Sequence, residues 1–364
     1  MARVSWDNVL ILQTSFLGDT VLTLPLIGEV RRRFPVKKLS VLCLPVSREL
    51  LQDHPAIDEI ITYDKKHSQC GWTGLRHIAR AVKNKNFTIA LTPHKSLRSA
   101  LILYLAAIPQ RVGFRQSRGW FLFQKRAARN PQRHDVERNL SVLQAFGVSP
   151  EDCRRTIELP VKPHLQNIVD RKLAALGVND HPRIIGVSPG SVWPTKRWSA
   201  AGFAALIRML RDKHNCQVLL FGGSDDAPVV EDVQRQCGEA AINLVGRIDL
   251  HELPAAISRC RVFVTNDSGP MHIAVARQVP VVAVFCATTP DLGFYPYTSN
   301  AIVVQRRLAC RPCASHGGRR CPLGTEDCIR QIFPETVLQA VEKLLYDAAP
   351  AGQGLSFEPE LRTV

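Results

Sequence analysis

The chain has 364 residues, 45% hydrophobic and 22% charged, a balance that excludes a disordered polypeptide and indicates globular domains. That length exceeds one small core and suggests two domains of ordinary size. A formal net charge of +15 calls for an anionic partner: nucleic acid, a membrane surface or a phosphorylated substrate.

In chain order, the apolar runs Val9–Leu12, Leu39–Cys43, Ile57–Thr62, Phe87–Leu91 and Arg111–Gly113 read as strands. They alternate with helices expected over Asp19–Arg33, Leu75–Val82 and Leu97–Ala106. Such alternation with right-handed crossovers gives a mostly parallel sheet covered on both faces. Leu159-Pro160-Val161-Lys162-Pro163 reads as a linker, because two prolines in four residues discourage helix. The alternation then restarts, with strands expected at Ile184–Val187, Val218–Phe221, Ile242–Val245, Val262–Thr265, Val281–Phe285 and Ile302–Val304. Helices are expected at Ala200–His214, Val229–Cys237, Leu250–Ile257 and Met271–Arg277. The expected division is 1–162, 163–347 and an irregular tail, 348–364, with two α/β units facing each other across a cleft. The apolar run 100–108 is far shorter than the roughly 20 residues that span a bilayer. Gly18 and Asp19 interrupt the first apolar run before a signal-peptide core develops, so a cytoplasmic protein is expected.

Three strand-to-helix turns carry ligand-type residues. Gln13-Thr14-Ser15-Phe16-Leu17-Gly18-Asp19 follows the first strand, and its Asp19 is either a helix-start carboxylate or a general base. No Gly-x-Gly-x-x-Gly occurs there, which argues against a dinucleotide-dependent oxidoreductase. Ser188-Pro189-Gly190-Ser191 leads into Trp193-Pro194-Thr195-Lys196-Arg197-Trp198. Asn266-Asp267-Ser268-Gly269-Pro270-Met271-His272 follows a strongly apolar strand. Asp267 either caps the next helix or accepts from sugar hydroxyls at the carboxyl edge of the sheet, while the helix N-terminus faces a phosphate. Thr92-Pro93-His94-Lys95-Ser96-Leu97-Arg98 places basic groups after another strand. From Arg111 to Arg133 seven Lys and Arg, including Arg115 and Arg118, are interleaved with Phe114, Trp120, Phe121 and Phe123, with no acid before Asp135. This segment is either a solvated face or a binding surface for an anionic amphiphile or nucleic acid.

Of eleven cysteines, seven are scattered singly and read as reduced, apolar-like residues. The other four, Cys310, Cys313, Cys321 and Cys328, lie within nineteen residues and could supply a structural zinc.

With these motifs in their order, the chain resembles the ADP-heptose:lipopolysaccharide heptosyltransferases of glycosyltransferase family 9 over nearly its whole length. Ser15–Asp19, Pro189–Ser191 with Trp193–Trp198, and Thr265–His272 carry the likeness. Gly293-Phe294-Tyr295-Pro296-Tyr297 and the cysteine-rich stretch after it look most like the branch that adds the second heptose. The resemblance implies a GT-B fold of two Rossmann-like domains, the first binding acceptor and the second nucleotide-sugar. It implies inverting transfer of heptose from ADP-L-glycero-D-manno-heptose to the Kdo/heptose inner core on lipid A, with no required metal cofactor. Asp19 matches the base and Lys196 the lysine near the donor phosphates. Ser191 matches the phosphate-side loop and Asp267 the aspartate on the donor sugar. Ser268, Gly269 and His272 match the pyrophosphate end, and Ile248 the adenine side. His94, Lys95, Arg98, Arg115 and Arg118 are the expected acceptor contacts. The implied location is the cytoplasmic face of the inner membrane, in peripheral contact with its anionic surface. Two other readings stay open: a GT-B enzyme with another nucleotide-sugar or acceptor, and a non-enzymatic nucleic-acid-binding protein. Against the latter, the basic residues form no recognised nucleic-acid motif, so no nucleic-acid partner is expected.

Overall fold

The computed structural model describes residues 5–178, 182–346 and 357–363. The chain divides into two compact units, Met1–Pro160 and Val161–Val364.

The first unit is built on six parallel strands: β1 (Asn8–Leu12), β2 (Lys38–Cys43), β3 (Glu59–Thr62), β4 (Ile89–Leu91), β5 (Gln110–Phe114) and β6 (Lys125–Ala127). Their order is β3-β2-β1-β4-β5-β6. Val9 to Leu12 are fully buried, as a central strand covered on both faces requires, and Val9 registers with Leu39 on one side and Ile89 on the other. The strand β6 has no apolar run to announce it, being an edge strand of sequence Lys-Arg-Ala. The single helix expected over 19–33 is instead two, Leu17–Val21 and Leu24–Arg33. Pro25 explains the break: it has no N–H for a continuing helix but suits the first turn of a new one.

The second unit holds β7 (Ile184–Ser188), β8 (Gln217–Leu220), β9 (Ile242–Asn243), β10 (Val262–Asn266), β11 (Val281–Phe285), β12 (Ala301–Gln305) and β13 (Glu360–Thr363). They pair in parallel in the order β13-β12-β11-β10-β7-β8-β9. Helices Ala200–His214 and Pro334–Tyr346 cover the sheet with Phe203, Leu206, Ile207, Leu210, Val337 and Val341 in one apolar cluster. Ser199 caps the first of these helices by accepting from the Gly202 N–H at 3.0 Å, and Asn215 ends it in the left-handed conformation.

Two expectations change here. Pro163, read as part of a linker, opens the helix Pro163–Ala175, because a proline in the first turn of a helix costs no hydrogen bond. The tail expected to be irregular contributes β13, which pairs with β12 from Ile302↔Glu360 to Gln305↔Thr363; positions 347–356 and 364 lie outside the described residues. In both sheets the first strand of the unit sits beside the fourth, and the chain runs away from that junction in opposite directions. This is the Rossmann-type order, with its ligand crevice at the carboxyl ends of those two strands.

Candidate active site

In the second unit that junction lies between β7 and β10. The fully buried Asn266, the last residue of β10, ties the two loops together. Its Nδ2 donates to the Pro189 carbonyl at 2.8 Å, and its Oδ1 accepts from the Trp198 N–H at 2.9 Å. Trp198 is itself buried, donating from its indole to the Ile332 carbonyl at 3.0 Å. This fixes the intervening 3-10 turn Pro194–Lys196 and aims Lys196 at Asp267, with 2.7 Å between Nζ and Oδ2. Both side chains are largely buried, 14% and 8% exposed. Thr288, in the loop after β11, donates to the same Oδ2 at 2.7 Å. Both bonds fall on one oxygen, and the other keeps its capacity to accept from a hydroxyl.

A cation beside a helix start is poorly placed unless an anion lies near. Within the protein that anion is Asp267, which sits directly before the helix Gly269–Ala276. Ser268 is the N-cap residue, and its hydroxyl lies 3.2 Å from that of Thr265 rather than bonding the first-turn N–H groups. Those groups remain as anion donors. His272 is buried in the same helix; burial foremost, with Lys196 adding to it and Asp267 opposing, holds its imidazole down at about 4. His272 is therefore a neutral group beneath the site.

The cysteine-rich stretch is joined to the loops of this site by hydrogen bonds to backbone groups. Arg311 donates to the Phe285 carbonyl at 2.8 Å and to the Thr288 carbonyl. The Cys313 N–H donates to the Ala287 carbonyl at 3.1 Å, and the Ala287 N–H to Thr195 at 3.2 Å. Thr195 and Gly318 exchange backbone and hydroxyl bonds of 2.8 to 3.2 Å. The expected zinc site is a correction: no group of three or more His, Cys, Asp and Glu among the described residues is arranged to hold a metal. Cys310 is exposed, whereas Cys328 is buried in the apolar cluster. Gly317 has a φ of +81°, and a Cβ there would stand 2.8 Å from Lys196 Cγ and 3.1 Å from Trp193 Cβ. Gly317→Val should thus displace Lys196 and, with its left-handed backbone, cost about 1–2 kcal/mol of stability. Calorimetric titration with ADP-heptose, the donor that the resemblance implies, should show roughly tenfold weaker binding; unchanged affinity would mean that the strap does not set the lysine.

Two further residues expected at the donor site sit on the same edge. Ser191 is buried in the loop after β7, its carbonyl accepting from Arg197 Nε at 2.7 Å. Ile248 lies in the loop after β9, its N–H donating to the Leu244 carbonyl. Three strand spacings separate β9 from β10, or about 14 Å. Asp226 was not anticipated. Its carboxyl group lies so close to Gly190 that a Cβ there would be 2.2 Å from Oδ1, and burial foremost raises its pKa. The signal was available, since Gly222-Gly223-Ser224-Asp225-Asp226 is another turn at a strand end.

In the first unit the junction lies between β1 and β4. His94 Nδ1, in the loop after β4, lies 3.3 Å from Thr14 Oγ1 in the loop after β1, and 2.8 Å from Ser99 Oγ. Asp19 Oδ2 accepts from the Phe16 N–H at 3.1 Å, so the carboxylate does cap its own short helix. Lys65, which belongs to none of the sequence motifs, reaches in from beyond β3 and donates to the Thr14 carbonyl. Burial foremost, then Lys66 and Arg98, lower its pKa against the opposing charge of Asp19. Arg98 donates to the Tyr63 hydroxyl at 3.0 Å. These residues form one polar locus. The Lys95 carbonyl accepts from the Arg118 N–H at 3.1 Å, joining the basic segment to the loop after β4. Arg115 and Arg118 are exposed, and Arg115 lines a cavity of about 590 Å³ with Trp120, Gln124 and Arg126.

His94 stands among basic residues in the sequence, but burial foremost, then Lys65 and Lys95, hold it down at about 4. It is neutral at pH 7. For His94 and His272 the unfolded value is near 6.5. Between there and about 4 the unfolded chain binds protons that the folded chain refuses. Folding stability should fall with pH through that window, by up to roughly 3 kcal/mol per histidine. Denaturant titrations at pH 7 and 5 check this, and His94→Asn should flatten the slope; equal stabilities at both pH values would contradict it.

Two Rossmann-type units in one chain, with a lysine–aspartate pair at the ligand edge of the second, are the make-up of the GT-B fold. The profile of glycosyltransferase family 9 (heptosyltransferase) matches residues 75–323, and the chain belongs to that family. It is 28% identical to lipooligosaccharide heptosyltransferase 2 of Haemophilus ducreyi, covering 93% of this chain and 99% of that one. It is 29% identical to lipopolysaccharide heptosyltransferase 3 of Escherichia coli, covering 92% and 97%. Among solved structures, E. coli ADP-heptose lps heptosyltransferase II superposes with a TM-score of 0.76 at 24% identity, over 93% of this chain and 99% of that one. No helix among the described residues is long and apolar enough to cross a membrane.

Proposed function

We propose that the chain transfers L-glycero-D-manno-heptose from ADP-heptose to the inner core of lipopolysaccharide, with inversion, as the second heptose. The observation that carries this reading is the buried Lys196–Asp267 pair at the sheet junction, beside an uncapped helix start. In this reading the donor pyrophosphate lies against the first-turn N–H groups and Lys196, and the sugar hydroxyls bond Asp267. The strand spacing from Asp267 to Ile248 suits a nucleotide extended along the carboxyl edge. Asp19 takes the proton from the acceptor hydroxyl as its oxygen attacks the anomeric carbon. The bond from that carbon to the phosphate oxygen breaks, and ADP leaves with the electron pair. Lys196 and the helix N–H groups stabilise the charge that grows on the leaving group, so the reading requires no metal.

Lys95, Arg98, Arg115 and Arg118 then meet the carboxylates and phosphates of the acceptor, with neutral His94 positioning Thr14 and the loop between them. In this reading the acceptor is acylated, and the enzyme works in peripheral contact with the cytoplasmic face of the inner membrane. The likeness to the E. coli heptosyltransferase 3 favours one other reading, addition of a third heptose. Incubation with ADP-heptose and inner-core acceptors bearing one or two heptoses separates the two, read by mass spectrometry and linkage analysis. Extension of the one-heptose acceptor alone is expected. Extension only of the two-heptose acceptor would assign the later step, and extension of neither would reject the acceptor class.

A further inference from the structure

The charge of the chain is not spread over it. Residues 65–134 contain fifteen Lys and Arg and no Asp or Glu, while the rest of the chain holds 32 of each sign. The whole excess of +15 therefore belongs to one stretch of the first unit. The same stretch exposes apolar side chains that the transfer reaction does not use. The 3-10 turn Trp120–Leu122 leaves Trp120 48% and Phe121 62% exposed, and helix Leu97–Leu105 exposes Leu97, Tyr104 and Leu105.

These side chains form one patch. A Cβ on Gly119 would stand 2.4 Å from Ala100 Cβ and 3.3 Å from Leu97 Cδ1, so the turn is pressed onto the start of the helix. Arg111 joins the turn to the far end of that helix: its Nε donates to the Leu122 carbonyl at 2.9 Å, and its guanidinium lies 5.4 Å from the Tyr104 ring centre. Arg126 stacks on Trp120 at 5.2 Å and shares with it and Arg115 the cavity already described.

Aromatic tips beside guanidinium groups suit the level of lipid headgroups, where rings enter the acyl boundary and arginines meet phosphates. We propose that this patch docks on a bilayer of anionic phospholipid. Phe121 and Trp120 enter the boundary, and Arg115 and Arg126 hold a headgroup phosphate in the cavity. Leu97 and Leu105 favour lipid over nucleic acid, since they suit acyl chains and offer nothing to a base or a phosphate. The inference rests on the acceptor reading only for its expectation of a lipid-borne substrate, and for Arg115 it deepens that reading.

The test uses the full chain and sedimentation with vesicles of phosphatidylcholine, with and without phosphatidylglycerol. Binding is expected only with the anionic lipid and should weaken with salt. Phe121→Asp, and independently Leu105→Asp, should lower vesicle affinity roughly tenfold or more, with unchanged melting as the folding control. Both variants should lose transfer to acylated acceptor in vesicles and retain it on deacylated acceptor. Wild-type affinity in both variants, binding equal for both lipids, or tighter binding to duplex DNA at the same salt would overturn the proposal. The vesicle arm needs no sugar nucleotide, so it stands if the donor proves different; failure of the deacylated acceptor in wild type would strike the transfer reading instead.

Discussion

Lys196→Ala is expected to weaken ADP-heptose binding and to lower the rate at saturating donor by roughly 100-fold, the range for loss of one preorganised group at a developing charge. Two energies act at this position. Lys196 and Asp267 are buried as a 2.7 Å pair, and removing one partner of such a pair typically costs about 3–5 kcal/mol because it strands the other charge. Thr288 still donates to Asp267, which offsets part of that loss. A fall in melting temperature is thus expected with the kinetic defect, and affinity alone does not separate them. Adenosine does, since it carries no phosphate: its affinity should change little while that of ADP-heptose falls. Equal small losses for both ligands with an unchanged saturated rate would show that Lys196 only shapes its loop.

Asp19→Asn should leave donor binding nearly intact and cut turnover by roughly 100-fold or more, as expected for a lost general base. The amide oxygen of asparagine can still accept from the Phe16 N–H, so the cap that Asp19 provides survives the change. What disappears is the charge beside Lys65 and the capacity to take a proton. The two roles therefore separate in one variant. Near-normal turnover would reduce Asp19 to a helix cap.

The sequence was most legible where a buried strand runs into a turn. Asp19, Lys196 and Asp267 each stand just past such a run, and the parallel alternation fixes which edge of the sheet they occupy. Their partners were harder to see. Lys65 reaches Thr14 across fifty-one residues of sequence, and Thr288 reaches Asp267 across twenty-one, distances that only the strand order closes. Asn266 was read as part of a turn, whereas its buried side chain is what joins the loops after β7 and β10. The cysteine spacing suggested a metal because spacing carries no information about burial. In the fold, the same stretch is anchored by the Arg311 guanidinium and by backbone bonds through Ala287 and Gly318. Elements escaped where their local signal pointed the other way, as with the polar strand β6 and the helix opened by Pro163.

The most direct test of the central claim is the anomeric configuration of the product formed by wild-type chain from ADP-heptose and a one-heptose inner-core acceptor, read by nuclear magnetic resonance. Direct attack by a hydroxyl activated at Asp19, with ADP stabilised at Lys196, predicts one heptosyl unit transferred with the configuration opposite to that in the donor. A product that retains the donor configuration, or transfer from UDP-sugars in preference to ADP-heptose, would contradict it.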